Sequence, residues 1–234
     1  MTDYGTLRVV GVILARNEAH TIGAVVAQTL PFVHQVCVMD GHSTDGTAAE
    51  AVRAGAVVHQ DPGKGKGSAI RLSLDLVEAD VVVFLDADGS HDPADIPKLV
   101  EPLMRDQADL CIGSRFSGGS EELSVSVGQL IRTIGNILMN IAINTRWRVE
   151  LTDTLNGFRA IRRHEARLVQ MTEDTHTIEQ EMAMKMLRHG YRVMNVPTHE
   201  YARTHGTSHI KIWREWPTFV WCVIVNLWPS DVRR

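Results

Sequence analysis

The feature that most constrains this chain is a repeated pair: a short run apolar on both faces, then a stretch with helical spacing. Residues 7–14 (LRVVGVIL), 33–39, 56–59 and 80–85 (DVVVFL) have strand length. Residues 19–30, 44–54 and 68–78, which fall between them, carry the helical pattern. Strands without a polar face, alternating with helices, predict an α/β fold: a single Rossmann-like, mostly parallel sheet flanked by helices. Ligands of such sheets bind beyond the carboxyl ends of the strands. Three polar clusters fall there: Ala15-Arg16-Asn17-Glu18, Asp40-Gly41-His42-Ser43 and Asp86-Ala87-Asp88.

The second half is less regular. It predicts helices over 93–105, 127–143 and 179–189, strands over 110–113 and 192–196, and mobile loops at 118–120 and 203–211. The 234 residues, 44% hydrophobic, suffice for one sizeable core. We divide the chain into a catalytic domain, 1–211, and a tryptophan-rich helical extension, 212–234. A net charge of −4 argues against a nucleic-acid partner, so an anionic ligand must be held by local basic residues. Cys37, Cys111 and Cys222 sit in apolar runs without paired spacing, which predicts buried, reduced thiols. There is no zinc pattern and no basic-then-apolar leader, and the apolar run 219–228 is shorter than the about 20 residues a bilayer needs. A cytoplasmic location is the expectation, with peripheral contact at the inner face of the membrane as its variant.

Two carboxylates directly after a buried strand can reach one hard divalent cation, so Asp86 and Asp88 are the candidate ligands for Mg²⁺ or Mn²⁺ bridging to a diphosphate. Asp40 also ends an apolar run, where it can accept hydrogen bonds from a base or ribose. The turn after it, with Ser43, Thr44 and Asp45, is expected to cap the next helix. Gly63-Lys64-Gly65-Lys66-Gly67-Ser68 lacks the spacing of a phosphate-binding P-loop. It reads instead as a glycine-rich turn opening a helix, with backbone N–H groups and lysines available to an anion.

Seven segments in order, from residue 15 to residue 211, resemble the family 2 glycosyltransferases, and within them the dolichol- and polyprenyl-phosphate mannose synthases. They are Ala15-Arg16-Asn17-Glu18, the turn from Met39 to Thr47, Lys64-Gly65-Lys66-Gly67, Asp86-Ala87-Asp88, Gly113-Ser114-Arg115-Phe116, the loop from Thr152 to Arg159, and the loop from Arg203 to Lys211. The resemblance implies a GT-A fold, a nucleotide-sugar donor contacted by Ala15, Arg16, Glu18, Asp40, Lys66 and Ala87, and a metal on Asp86 and Asp88. It also implies donor or acceptor phosphates held by Arg115, Arg132, Arg203 and Lys211. Two residues depart from the pattern: Gly41 stands where the turn usually has a second Asp, and Ser90 where the lipid-linked synthases carry a Gln.

The expected reaction is an inverting transfer of a hexose, with mannose from GDP-mannose first, to a polyprenyl phosphate. A phosphate oxygen is already ionised and needs no base. The alternative is a soluble hydroxyl acceptor, with a UDP-sugar as a further option; a carboxylate must then take the proton, and Asp153, Glu179 and Glu181 are the candidates. Glu179 and Glu181, two apart on a helix, cannot face the same way. Trp213, Trp216, Trp221 and Trp228 lie among Phe219, Val220, Val223 and Val225, ahead of Arg233 and Arg234. Such a helix suits a membrane interface, or packing on the domain or on a homodimer partner. A dinucleotide-dependent oxidoreductase is disfavoured because no Gly-x-Gly-x-x-Gly follows the first strand. A catalytically dead binding module is disfavoured by the intact Asp86 and Asp88.

Overall fold

The structure is a computed structural model. It describes residues 2–121, 127–202 and 212–227, with side chains outside 127–132 and 212–215. Seven strands form one sheet: β1 (Val9–Ala15), β2 (Gln35–Asp40), β3 (Val57–Gln60), β4 (Val81–Asp86), β5 (Leu110–Ser114), β6 (Arg159–Arg162) and β7 (Val193–Pro197). Their order is β3-β2-β1-β4-β6-β5-β7. All neighbours are parallel except β6, which is antiparallel to both β4 and β5.

The helices among the described residues are α1 (Ile22–Thr29), α2 (Thr47–Arg53), α3 (Lys66–Leu76), α4 (Ile96–Met104), α5 (Arg115–Gly118), α6 (Val127–Trp147), α7 (Arg163–Leu168), α8 (Ile178–Arg188) and α9 (Ile212–Leu227). The expected helix at 93–105 begins with a 3-10 turn, Pro93–Asp95, in which Asp92 accepts a hydrogen bond from the N–H of Ala94. Alternate residues of each strand feed two cores. Val9, Ile13, Val81, Val83 and Leu85 pack with Ile22 and Val26 of α1 and Leu99 and Leu103 of α4. Val10, Val12, Val82 and Phe84 pack on the other face with Ile70 of α3, Ile143 of α6 and Met182 of α8. The mostly parallel, two-sided sheet is thus as its apolar runs predict.

Two elements escape the sequence pattern. Strand β6 is four residues with arginines at both ends, and α7 follows it at once. Arg159 is fully buried, its guanidinium donating to the backbone carbonyls of Asn156, Thr154 and, at 2.7 Å, Glu179. Carbonyl acceptors on several sides let a charged group occupy a central strand.

At the far end of the chain, α9 packs against α6 and α8 and buries Cys222, Val223 and Asn226. No helix among the described residues is long and apolar enough to cross a membrane.

The cysteines are buried and unpaired. Burial pushes the Cys37 thiol up to about 11. Burial, helped by the charge of Asp109, pushes Cys111 up to about 12, and burial with the charges of Glu173 and Glu181 does the same for Cys222. The folded protein is therefore expected to resist a disulfide reagent at about pH 8, releasing its thiols only on denaturation. Rapid labelling of any one of them in the native protein would contradict this packing.

Candidate active site

A cleft of about 1060 Å³ opens over the carboxyl ends of β1, β2 and β4. The loops that form its rim are braced against each other. The backbone N–H of Asn17, at φ 54°, donates to Ser43 Oγ at 2.8 Å, and Asn17 Oδ1 accepts from the N–H of Thr44 at 2.9 Å. The N–H of Glu18 donates to Thr47 Oγ1, and the N–H of Ala19 to Asp45 Oδ2. Asp45 also accepts from the N–H and hydroxyl of Thr47, so Asp45 caps the start of α2. Ser43 and Thr44, expected as caps, instead tie the first loop to the second.

Ala15, Arg16, Glu18, Lys66, Asp86, Ala87 and Asp88, all singled out in the sequence, line this one cleft. Asp40 lies just beneath its wall. One carboxylate oxygen accepts from the N–H of Ser43 at 3.1 Å; the other is buried without a hydrogen-bond partner. Gly41 is explained by its neighbour, since a Cβ there would come within 3.2 Å of Arg16 Cβ. An Asp at this position would push Arg16 aside.

Lys66 is the charge centre of the floor. Its Nζ lies 2.6 Å from Asp86 Oδ1 and 2.6 Å from Glu179 Oε1. Against the cost of burial, Lys66 and His91 hold the Asp86 carboxyl well below the usual carboxylate range. Burial alone would lower the Lys66 ammonium; Asp86 and Glu179 raise it instead. Asp88, buried, accepts at Oδ1 from both the N–H (3.0 Å) and the hydroxyl (2.7 Å) of Ser90. Ser90 therefore orients Asp88. His91 stacks on Phe158 at 5.0 Å, and its Nδ1 accepts from the Asp86 N–H at 3.3 Å.

Three N–H groups of the glycine-rich turn are already taken, that of Gly63 by Asp61 Oδ1. Those of Gly67 and Ser68 donate to the carbonyl of Asp174. A Cβ at Gly67 would lie 2.2 Å from the Glu173 carbonyl oxygen, and one at Gly65 2.6 Å from that of Asp174. The glycines admit the 173–174 backbone, which fixes the start of α3 and aims Lys66 into the cleft. Lys64 is exposed outside it.

Arg115 lines the opposite wall, with Asp153 behind it. Arg115 Nε donates to Asp153 Oδ2 at 2.7 Å and Nη2 to Oδ1 at 3.1 Å, a bidentate pair. Glu200 lies 3.5 Å from Arg115 Nη1. Asp153 is fully buried and also accepts from Asn136 Nδ2, so it has no face toward an acceptor. It anchors Arg115 and does not line the cleft. Glu179 lines the cleft; Glu181 does not. The Glu181 carboxylate accepts from the N–H groups of Thr172 and Glu173 and pairs with Lys185 at 2.8 Å, so the structure turns it away from the chemistry. The two glutamates diverge as their spacing requires. The Arg132 side chain, Arg203 and Lys211 lie outside the described residues.

Several cleft residues were not anticipated: Asp61, His91, His176, Glu200, and Trp216 with Phe219 of α9. Asp61 had a signal, because it directly follows the third strand and occupies the fourth strand-end position. His176 and Glu200 come from loops distant in sequence, and nothing local marks them.

These features agree with the chain's relatives. The model for glycosyl transferase family 2 matches residues 12–167, more than half of the chain. Glycosyltransferase AglJ of Haloferax volcanii is 34% identical over 195 residues, 82% of this chain and 62% of AglJ, so the chain spans less than two thirds of that relative. The undecaprenyl-phosphate mannosyltransferase of Micrococcus luteus is 29% identical over 218 residues, 86% of this chain and 87% of that one. Glucosyl-3-phosphoglycerate synthase from Mycobacterium tuberculosis, solved with Mn²⁺, uridine diphosphate and phosphoglyceric acid, matches with a TM-score of 0.77. It is 20% identical, and the match covers 97% of this chain and 81% of that one, a likeness of fold. The chain belongs to the family 2 glycosyltransferases and has the GT-A fold.

The Lys66 contacts give a stability prediction. Asp86, held low in the folded state, contributes stability that is complete above the ordinary carboxylate range and lost as the pH falls below it. Lys66→Met leaves Asp86 and Glu179 without their counter-charge, at an expected cost of about 3 kcal/mol near neutral pH. Urea unfolding should show that deficit shrinking as the pH falls into the ordinary carboxylate range, where Asp86 of the variant takes up a proton. A deficit independent of pH would mean the ammonium acts only by filling space.

Proposed function

We propose that this chain is a metal-assisted, inverting hexosyltransferase that moves a sugar from a nucleotide donor to a polyprenyl phosphate, with mannose from GDP-mannose as first choice. One observation carries the reading. The cleft joins a floor of strand-end carboxylates to an apolar wall made by Met139 of α6, Trp216 and Phe219 of α9, and Leu155. A floor of that chemistry suits a nucleotide diphosphate with its cation, and the wall suits a prenyl chain. The undecaprenyl-phosphate mannosyltransferase among the relatives supports the same pairing.

The donor set fits a hard cation. Asp86 and Asp88 present oxygen ligands at one strand end, and no cluster of three His, Cys, Asp or Glu able to hold a metal exists among the described residues. Mg²⁺ and its congeners commonly bind through one or two carboxylates, with phosphate oxygens and waters completing the shell. Among the described residues, the cleft's carboxylates, Glu18, Asp61, Asp86, Asp88, Glu179 and Glu200, also outnumber its permanent cations, Arg16, Lys66 and Arg115. A diphosphate entering that field needs a partner of positive charge. Bound there, the cation would offset charge on the departing nucleoside diphosphate.

The chain's own groups then take these roles. Asp40, with its unpartnered oxygen, and Arg16 and Glu18 hold the nucleoside. Lys66 holds Asp86 and faces the diphosphate. Arg115, kept rigid by Asp153, orients the acceptor phosphate together with Arg132, Arg203 and Lys211. The acceptor oxygen attacks the anomeric carbon as the diphosphate leaves, and no side chain has to take a proton. We assign this work to the unit 1–211, on the cytoplasmic side of the membrane.

A second reading has its own support. Of the three candidate bases, Glu179 alone lines the cleft, and the mycobacterial structure holds uridine diphosphate with a small phosphorylated acceptor. On that reading a UDP-sugar reacts with a hydroxyl and Glu179 takes its proton.

Release of GDP and UDP from a panel of sugar nucleotides, with Mg²⁺ or Mn²⁺, separates the two. A short polyprenyl phosphate should stimulate turnover, and Asp88→Ala should lower it at least about 100-fold. Turnover indifferent to the lipid phosphate but abolished by Glu179→Gln would move the assignment to the hydroxyl acceptor. Full activity in the presence of a chelator would remove the metal from the mechanism.

A further inference from the structure

We propose that the shared outer face of α6 and α9 is a docking surface for an anionic phospholipid bilayer. The inference rests on the lipid-phosphate reading above and supplies what that reading lacks: a way for the cleft to reach a substrate held in a membrane.

The two helices run side by side in the same direction. The Trp216 ring covers Gly135, where a Cβ would come within 1.9 Å of it, and at the other end Arg146 Nε donates to the Leu227 carbonyl at 3.3 Å. Each helix divides its residues between inside and outside. On α6, Asn136, Met139, Asn140 and Ile143 are buried, whereas Ile134, Ile137, Leu138 (58% exposed) and Ile141 face out. On α9, Cys222, Val223 and Asn226 are buried, whereas Trp221 (64% exposed), Ile224 and Val225 face out. Seven large apolar side chains on two adjoining helices exceed the scattered exposure that solvent tolerates, and such patches mark contact surfaces.

Charge selects the partner. Neither Val127–Trp147 nor residues 216–227 contain a single Asp or Glu. Arg146 and Arg148, both exposed, stand at the end of α6, with Arg146 lying over the Trp147 ring at 5.4 Å. An apolar face carrying a tryptophan and bordered by arginines matches the boundary between acyl chains and anionic headgroups. A second copy is a poorer occupant. A two-fold contact pairs this patch with itself, and neither Val127–Trp147 nor 216–227 offers a carboxylate to meet the arginines, the exposed Glu150 lying just beyond α6.

Position connects the surface to the site. The α6 turn that exposes Ile134 and Ile137 also carries Thr133 and Asn136 into the cleft, and Trp216 and Phe219 of α9 line the cleft one turn before Trp221. A bilayer on this face would hold the cleft mouth at headgroup depth, where a lipid-borne phosphate lies.

Sedimentation with vesicles of phosphatidylglycerol and phosphatidylethanolamine, free of any polyprenyl phosphate, tests the surface. Wild type should bind them more tightly than phosphatidylcholine vesicles. The exposed pair Leu138→Glu with Trp221→Glu should weaken binding at least about tenfold without altering thermal unfolding. Arg148→Glu, at a position that packs on nothing in the core, should reduce binding to the anionic vesicles only. Wild type that ignores both vesicle types overturns the proposal. So does a lipid-free dimer that the Leu138/Trp221 pair splits while vesicle binding persists, since a second copy then covers the face. Sugar transfer to a short, water-soluble polyprenyl phosphate is read separately. Transfer without vesicle binding removes the docking surface and keeps the acceptor. Vesicle binding without such transfer keeps the surface and removes the acceptor.

Discussion

Lys66 joins three elements that have little else in common at the floor of the cleft: the start of α3, the end of β4 through Asp86, and the start of α8 through Glu179. A buried ammonium between two carboxylates tolerates small displacements poorly, because losing either contact leaves an uncompensated charge. That requirement explains the backbone around it. Gly65 and Gly67 let α3 begin in contact with residues 173–174, and Gly157 lies where a Cβ would come within 3.0 Å of Asp86, Glu179 and Lys66 at once. The glycines of this chain that look like a phosphate loop are the space into which a charge cluster fits.

The same economy recurs on the rim and on the far wall. Asn17, Ser43, Thr44, Asp45 and Thr47 satisfy one another across two loops, so the residues at this rim of the cleft sit on a braced frame. Asp153, with no solvent exposure, fixes Arg115 through two parallel hydrogen bonds. In each place one polar group holds another, and only the second meets the cleft. Preorganised groups of this kind lose little entropy when a ligand arrives.

Most strands, their mainly parallel arrangement and the first strand-end clusters were legible because a strand buried on both faces leaves a short apolar run, and here such runs alternate with helical spacing. Asp61 carried a weaker form of the same signal and was not anticipated, because Gln60 separates it from the third apolar run. Strand β6 was not, because its arginines read as solvent-facing until tertiary carbonyls are placed around Arg159. The contacts of Asp153 and Glu181 were equally hidden: a carboxylate in a glycine-containing loop or on a helix suggests chemistry, and only packing reveals whether its oxygens are already engaged. Likewise, a glycine's φ or a close backbone approach has no signature in one dimension, so Gly65-Lys66-Gly67 suggested an anion where the structure has a chain crossing.

Under the proposed function, the electrostatics of the cleft would also divide the two substrates. On the donor side, Lys66 is already offset by Asp86 and Glu179, so a diphosphate finds little net attraction there unless a cation comes with it. On the acceptor side Arg115 is in the same position, its charge met by Asp153 and Glu200. A phosphate acceptor brought to Arg115 alone would face a nearby carboxylate for every hydrogen bond it gained. Under the proposed function the remaining attraction must come from other cations, and the sequence supplies Arg132, Arg203 and Lys211 in the half of the chain that forms this wall. The rigid part of the site thus fixes direction, and the strength of acceptor binding rests on residues outside the paired framework. Under that proposal Arg203 and Lys211, outside the described residues, would supply cation that the paired groups of the described cleft do not.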